Sequence, residues 1–348
     1  MRKSYLAAAM MVSAMLFTGT LHAQSDPGRL PGSALGSQGQ VSEKDQQQIV
    51  AYIEYWVKQL QSSDPEAVAT ARGRLIEAYS QGGTETFINY YDQNLANRIA
   101  AGMSAKEVAG RLNTQIVARF IRHEKVADVI KAGLRDASSA VAYQAAYAAE
   151  ALTKNAKVGD QVKLGLRLPL MESLKKESSS YVLSFLYSAL VAIDDPAGWD
   201  AVLTKMNERL AVHVAEEDAG IDAEAEGLKA FYNRLVLVKS AGSNAAIKVN
   251  DKTLHLATLV SVRYLNYALT MASANEATSQ LIDTCDYISN TAAKWLVERG
   301  ANINVPALVK TKGTKLEKQL MLNDWRDKVL TVEPFKFAIA DVALPKKP

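Results

Sequence analysis

Val126-Ala127-Asp128-Val129-Ile130-Lys131-Ala132-Gly133-Leu134-Arg135-Asp136-Ala137-Ser138-Ser139-Ala140-Val141-Ala142-Tyr143-Gln144-Ala145-Ala146-Tyr147-Ala148-Ala149-Glu150-Ala151-Leu152 decides the fold, because it holds two helical periods and the turn between them. Val126, Val129, Ile130 and Leu134 recur at helical spacing. Arg135-Asp136 interrupts that stripe with a polar turn and an acidic cap, and Val141, Ala145, Ala148, Ala149 and Leu152 line a second helix with an alanine-rich face. The stretch therefore predicts a helix pair, with Leu134 and Val141 buried on adjacent antiparallel helices.

The arrangement returns on both sides. Leu166, Leu170 and Leu174 lead to a Lys-Lys-Glu-Ser-Ser-Ser turn and then to Tyr181, Val182, Phe185, Leu186, Ala189, Leu190 and Ile193. Upstream, Ile49, Ile53, Trp56, Val57 and Leu60 lead through Asp64-Pro65 to Val68, Ala71, Leu75 and Tyr79. With Met103-Ser104-Ala105-Lys106-Glu107-Val108 as a fourth start, the aligned valines Val68, Val108, Val141 and Val182 stand 40, 33 and 41 residues apart. Helix-pair solenoids repeat at roughly that interval, about 33 to 47 residues. The Val108 unit fits least well, since Arg119 stands where Leu152 and Ile193 stand in the later units.

This pattern resembles the HEAT-repeat family of α-solenoids, whose units carry an Asp in the inter-helix turn followed by a Val and a small residue. The resemblance covers about residues 45 to 210 and rests on Leu134, Asp136, Val141 and Ala145 in the best unit. Many members carry an arginine just after the valine. Here Arg72 matches only approximately, and Ala142 and Leu183 stand at the corresponding places. The fold class it implies is all-α, a right-handed α-solenoid of HEAT-like antiparallel helix pairs; an irregular all-α bundle is the alternative. A solenoid fold argues little about biochemical role, because the architecture serves many partners.

Outside the repeats, Arg2 and Lys3, an apolar run from Leu6 to Phe17, and Leu21-His22-Ala23 read as a secretory signal cleaved after Ala23, and hence as an exported, periplasmic or secreted protein. That run is too short to span a bilayer well, and no later stretch approaches a membrane span. Residues 24–41 are rich in Gly, Pro, Ser and Gln and predict a flexible tether. The HEAT-like repeats are then expected over 42–210, and a mostly helical region over 211–348. Removing the first 23 residues lowers the formal charge from +3 to +1, which gives no electrostatic case for nucleic acid. With one cysteine, Cys285, an exported chain has no intrachain disulfide, so its stability must come from apolar burial; 48% hydrophobic residues suffice for a sizeable core.

After Leu210 the repeat register is lost. An acidic segment carries Glu216, Glu217, Asp218, Asp222, Glu224 and Glu226, and Leu228, Phe231, Tyr232 and Leu235 form a helical stripe. Ile247 and Val249 alternate, Asn250-Asp251 is turn-like, and Thr253 to Leu256 reads as a return strand, so one small β-hairpin is expected there. Helical stripes follow over Leu256 to Met271, Ala277 to Ile288, Trp295 to Glu298 and Leu316 to Leu330, and Phe335, Phe337 and Ile339 suggest a last short strand. A second resemblance competes here. Thr253-Leu254-His255-Leu256-Ala257 looks like the start of an ankyrin repeat and Leu296 to Asn304 like the end of one, over a span longer than the usual unit of about 33 residues.

Motifs with chemistry are sparse. His123, His213 and His255 lack metal spacing, and His213 with Glu216 and Glu217 has no second histidine to complete a zinc motif. Ser173 and Lys176 match the Ser-x-x-Lys spacing of serine acyltransfer at the cell wall, but Ser-Asp-Asn and Lys-Thr-Gly are both absent. Cys285 shares a face with Leu281, Ile282 and Ile288, as a buried thiol does. Asp194-Asp195-Pro196 reads as a helix stop in preference to a calcium site, and Pro169 as a first-turn or kink residue. Lys310, Lys312, Lys315 and Lys318 form a basic run, and Trp56, Tyr90, Tyr91, Tyr181 and Trp199 have spacings that suit core packing or a binding surface. No catalytic, cofactor-binding or metal residue is assigned, and the binding residues are not identified. The expected role is an exported, non-catalytic protein-binding scaffold that meets another protein or an envelope component through a concave repeat face; an all-helical envelope enzyme and a structural assembly factor are the alternatives.

Overall fold

The computed structural model describes residues 26–216, 221–241, 249–272, 276–299, 313–331, 333, 335–337 and 343–345, and they are all-helical, without strands. A single turn, α1 (Gly32–Leu35), precedes the pairs α2 (Glu43–Gln59) with α3 (Pro65–Ser80) and α4 (Glu85–Arg98) with α5 (Val108–Ala118). The pairs α6 (Ala127–Leu134) with α7 (Ser139–Lys154) and α8 (Asp160–Lys176) with α9 (Ser180–Ala192) follow. Then come α10 (Pro196–Ala215), α11 (Asp222–Ala241), α12 (Asp251–Thr270), α13 (Glu276–Glu298) and α14 (Lys315–Trp325), the last continued by a π-turn over Arg326–Leu330.

Side-chain caps set many of the starts. Ser42, Asp64, Thr84, Asp195, Asn250 and Thr314 each accept a backbone N–H from the first turn of the helix they precede, and Thr314 with Glu317 closes a capping box. The helices then stack in two rows. One is α3, α5, α7, α9, α11 and α13, each against the next; the other is α2, α4, α6, α8, α10, α12 and α14, with the 3-10 segment Ile99–Ser104 joining α4 to α6. This is a solenoid-like stack, in which most contacts run to sequence neighbours. Leu134 and Val141 are both buried on the packed helices α6 and α7.

Arginines tie successive layers together. Arg72 of α3 donates to Asn113 of α5 at 3.0 Å, Arg111 of α5 to Asp136 in the α6–α7 turn at 2.6 Å, and Arg167 of α8 to Asp195 at 2.9 Å. Each spans from one pair to the next, which fixes the stacking register. Arg111 also holds the Asp136 carboxyl below the usual aspartate value, while Asp136 accepts the Ser138 N–H at 2.9 Å.

Several expectations change. The stretch expected as a tether is seated on the fold over residues 30–41: Leu30, Ala34 and Val41 are buried, and Thr84 donates its N–H to Leu35 O and its hydroxyl to Ser37 O. Three apolar side chains spaced among the Gly and Ser residues suffice to dock it. The β-hairpin is replaced by helix, since Thr253 to Leu256 is the first turn of α12, capped by Asn250 Oδ1 on Thr253 N at 2.8 Å. The stripe Leu254, Ala257, Ser261, Tyr264, Leu265 and Ala268 is buried along that helix, and the 3.6-residue period wins over a short alternation. Ile247 and Ile339 lie outside the described residues, as do Glu217 and Asp218, Lys310 and Lys312, and 300–304. Phe335 and Phe337 form no strand; the Phe337 N–H turns back to Leu330 O at 2.8 Å, and Phe335 packs on His255 at 5.1 Å. The ankyrin-like expectation also gives way, since α12 and α13 are single long helices of 20 and 23 residues packed along each other. Pro169 sits in the middle of α8, not its first turn.

Where the register fades after Leu210, the stacking does not. α10 runs through that position to Ala215, and α11, α12 and α13 extend both rows. Gly227 lets α11 approach, because a Cβ there would meet Met206 Cε at 2.5 Å and Tyr187 Cδ2 at 2.8 Å.

Candidate functional site

The exposed face of the α7–α9–α11 row carries a trough. A cavity of about 490 Å³ is lined by Lys154, Asp160, Lys163, Asp194, Arg234 and Leu237 among others, and a second of about 340 Å³ by Glu150, Ser184, Phe185, Glu226 and Lys229. The two share Lys154, Ser188, Ala230 and Asn233, so they form one continuous depression. Its charges come partly paired: Lys154 Nζ lies 2.7 Å from Glu150 Oε1, and Arg234 pairs with Asp194. Leu237, 58% exposed at its rim, adds an apolar contact. The lining of the trough is mixed, polar and apolar.

Toward the amino-terminal end of the same row the lining turns aromatic and cationic. Tyr147 of α7 stacks on Phe185 of α9 with centroids 4.4 Å apart, and Tyr143 meets the same Phe185 edge-on at 5.6 Å. The Arg119 guanidinium lies over the Tyr147 ring at 4.3 Å and over the Phe120 ring at 4.9 Å. Next to it, Tyr79, Arg119, Phe120, Arg122, Asn155 and Lys157 line a cavity of about 430 Å³. This is the place where the repeat pattern fails in sequence. Tyr79 and Arg119 occupy the positions of Leu152 and Ile193 in the later units, so the departure at Arg119 was the signal that pointed here.

A buried polar network lies behind the trough, where α9, α10, α11 and α12 meet. Glu224 is fully buried, with Arg209 Nε at 2.6 Å from its Oε1, His213 Nε2 at 3.1 Å from its Oε2, and the Tyr187 hydroxyl donating at 3.3 Å. Arg209 also donates to Ser178 O at 2.8 Å and Ser180 Oγ at 3.0 Å. Burial pushes the Glu224 carboxyl up, but His213 and Arg209 outweigh it and hold the group below the ordinary glutamate value. Tyr264 closes the site, its hydroxyl given to Met206 O at 2.7 Å. The sequence reading placed Glu224 in an acidic segment and gave it no partner; Arg209 lies 15 residues away on another helix, so only the tertiary packing unites them.

The residues singled out from sequence are dispersed. Ser173 and Lys176 do line one cavity, of about 200 Å³, but the Ser173 hydroxyl donates to Leu134 O at 3.2 Å. Cys285 is buried in α13, and burial pushes its thiol well up. Asp194 pairs with Arg234, while Asp195 pairs with Arg167 and caps Gly198 N at 3.0 Å, so both carboxylates of the conceivable calcium turn are engaged. Among the described residues no cluster of His, Cys, Asp and Glu is arranged to hold a metal. His123 Nδ1 accepts the Lys125 N–H, and burial lowers the pKa of His255 against its phenylalanine. Trp56, Tyr91 and Trp199 belong to the core, Tyr90 packs against it, and Tyr181 is 81% exposed.

Among the described residues no helix is long and apolar enough to cross a membrane. No protein-family model matches the chain, and comparison with curated proteins returns no match. Among solved structures the chain is similar to an engineered protein at 16% identity and TM-score 0.48, covering 70% of this chain and 96% of that one. A second engineered protein is similar at 17% identity and TM-score 0.39, over 86% of this chain and 82% of that one.

Proposed function

We propose that this chain is an exported, non-catalytic scaffold of HEAT-like helix pairs that binds a segment of another protein along the exposed face of α7, α9 and α11. The observation that carries the reading is the continuous trough, whose two cavities share Lys154, Ser188, Ala230 and Asn233. Neighbouring helices of one row supply its floor, as expected where a stack of repeats presents an extended surface. Paired charges and a few exposed apolar side chains suit a protein partner better than a small-molecule substrate, which favours enclosed, mostly apolar pockets. The Ser173 hydroxyl, given to a backbone carbonyl, and the buried Cys285 also fit a binding role.

Site-specific photocrosslinking tests it. A benzophenone side chain at Asn233, exposed in the trough, is expected to capture a defined partner in the native envelope, identified by mass spectrometry. The same group at Leu168, exposed on α8 in the other row, is expected to capture none. Equal labelling from both positions, or none from Asn233, would remove the trough as the binding face.

A further inference from the structure

We propose that the cavity bounded by Tyr79, Arg119, Phe120, Arg122, Asn155 and Lys157 is an anion site that takes a carboxylate of an acidic segment in the bound protein. This rests on the protein-binding reading above and names the chemistry of the partner. Three cations line the cavity and no carboxylate does. Among the described residues, nine other arginines form an ion pair, Arg74, Arg98, Arg111, Arg135, Arg167, Arg209, Arg234, Arg299 and Arg326, whereas Arg119 and Arg122 form none.

The geometry of Arg119 explains why the absence matters. Its guanidinium lies over the faces of Phe120 and Tyr147, and a cation placed on rings keeps its N–H groups in its own plane, directed away from them. A planar carboxylate can then meet that edge with two parallel hydrogen bonds. Neither arginine is consumed in capping α5, since the Gln115, Val117 and Ala118 carbonyls already accept the Arg119, Phe120 and Ile121 N–H groups.

The surroundings leave the site open to an incoming anion. Asp92 is buried behind the lining and its oxygens are engaged: it accepts the Tyr79 hydroxyl at 2.6 Å and the Arg122 backbone N–H at 3.4 Å, and it is not among the residues that line the cavity. Tyr79 therefore contributes its ring as a wall, its hydroxyl being engaged. Lys157 is held only by Glu85, and both are more than half exposed, so that pair is weak and exchangeable. Asn155 adds an amide between Arg122 and Lys157, its Oδ1 capping the Lys157 N–H at 2.9 Å.

The test is fluorescence anisotropy with a labelled hexaglutamate peptide on the full chain, with hexaglutamine as control. Saturable binding to wild type, absent for hexaglutamine, is expected. Arg119→Gln and the exposed Arg122→Gln should each weaken it about tenfold or more, the scale of losing a hydrogen bond to a charged group. Arg119→Lys should weaken it too, because a lysine keeps the charge but not the planar fork. Lys44→Gln, on α2 in the other row, should leave the affinity unchanged. Circular dichroism on each variant separates lost binding from lost folding, and Arg122→Gln, on the surface, keeps the test valid if Arg119→Gln does not fold. Equal binding by all variants would reduce the effect to diffuse attraction and overturn the site, as would no binding to wild type at low salt. If inorganic phosphate alone displaces the peptide at matched concentration, a free anion is the occupant and the acidic-segment assignment is overturned. Crosslinking from Asn233 reads the trough independently, so failure here and failure there are distinguishable.

Discussion

Glu224 shows at the residue scale how far a charge can travel from its sequence context. Five other acids stand within eight residues of it in the sequence, yet Glu224 is fully buried, with Arg209, His213 and Tyr187 against its carboxylate. Removing one partner from a buried ionic network leaves the others unpaired, so Glu224→Gln should destabilise the fold by about 3–5 kcal/mol at neutral pH. Because the folded carboxyl titrates below its unfolded value, its stabilisation is fully present above the ordinary glutamate pKa and is lost as pH falls through the folded value. Urea unfolding of wild type and variant across an acidic pH series should therefore show the gap closing in acid; a gap independent of pH would contradict the assignment. Arg119 is the opposite case, legible in sequence as a break in the repeat, though nothing in sequence said that Phe120 and Tyr147 lie under it.

At the scale of the element, glycines report where helices touch. Gly110 opens α5 at the point where it meets the end of α2, and a Cβ there would lie 2.4 Å from the Leu60 backbone carbonyl oxygen and 2.4 Å from Ala105 Cβ. Backbone has no rotamer with which to yield. Gly73, inside α3, faces open space. Gly110→Ala should thus lose about 1–3 kcal/mol through overpacking, while Gly73→Ala should gain about 0.5–1 kcal/mol from helix propensity and a less flexible unfolded chain. Thermal unfolding of the two variants checks both signs, and equal shifts would remove the close approach as the cause. Helix existence was legible for α2, α3, α6, α7, α8 and α9, since each combines an apolar stripe with a turn signal. The start of α12 was misread because Thr253 to Leu256, following the turn-like Asn250-Asp251, is too short a stretch to separate a strand from a capped first turn.

For the molecule as a whole, stacking in two rows makes stability a matter of nearest neighbours. Deleting residues 249–348 removes α12, α13 and α14 and uncovers the faces of α10 and α11 that they pack on. The remaining helices should keep their helicity per residue by circular dichroism, while binding of an apolar dye and self-association both rise. Collapse of the whole far-ultraviolet signal would instead mark one indivisible core. By itself the sequence determined the all-α class, the pairing of helices over the first four units and the burial of Leu134 and Val141, because periodicity and capping act over a few residues and are written locally. Only the tertiary structure decided that the stack continues through α13, that residues 30–41 dock on it, that Glu224 is paired, and that Tyr79, Arg119, Tyr147 and Lys157 meet on one face. Each of those depends on side chains brought together from different helices, and a local pattern carries no record of which distant partner will satisfy a charge or cover a ring.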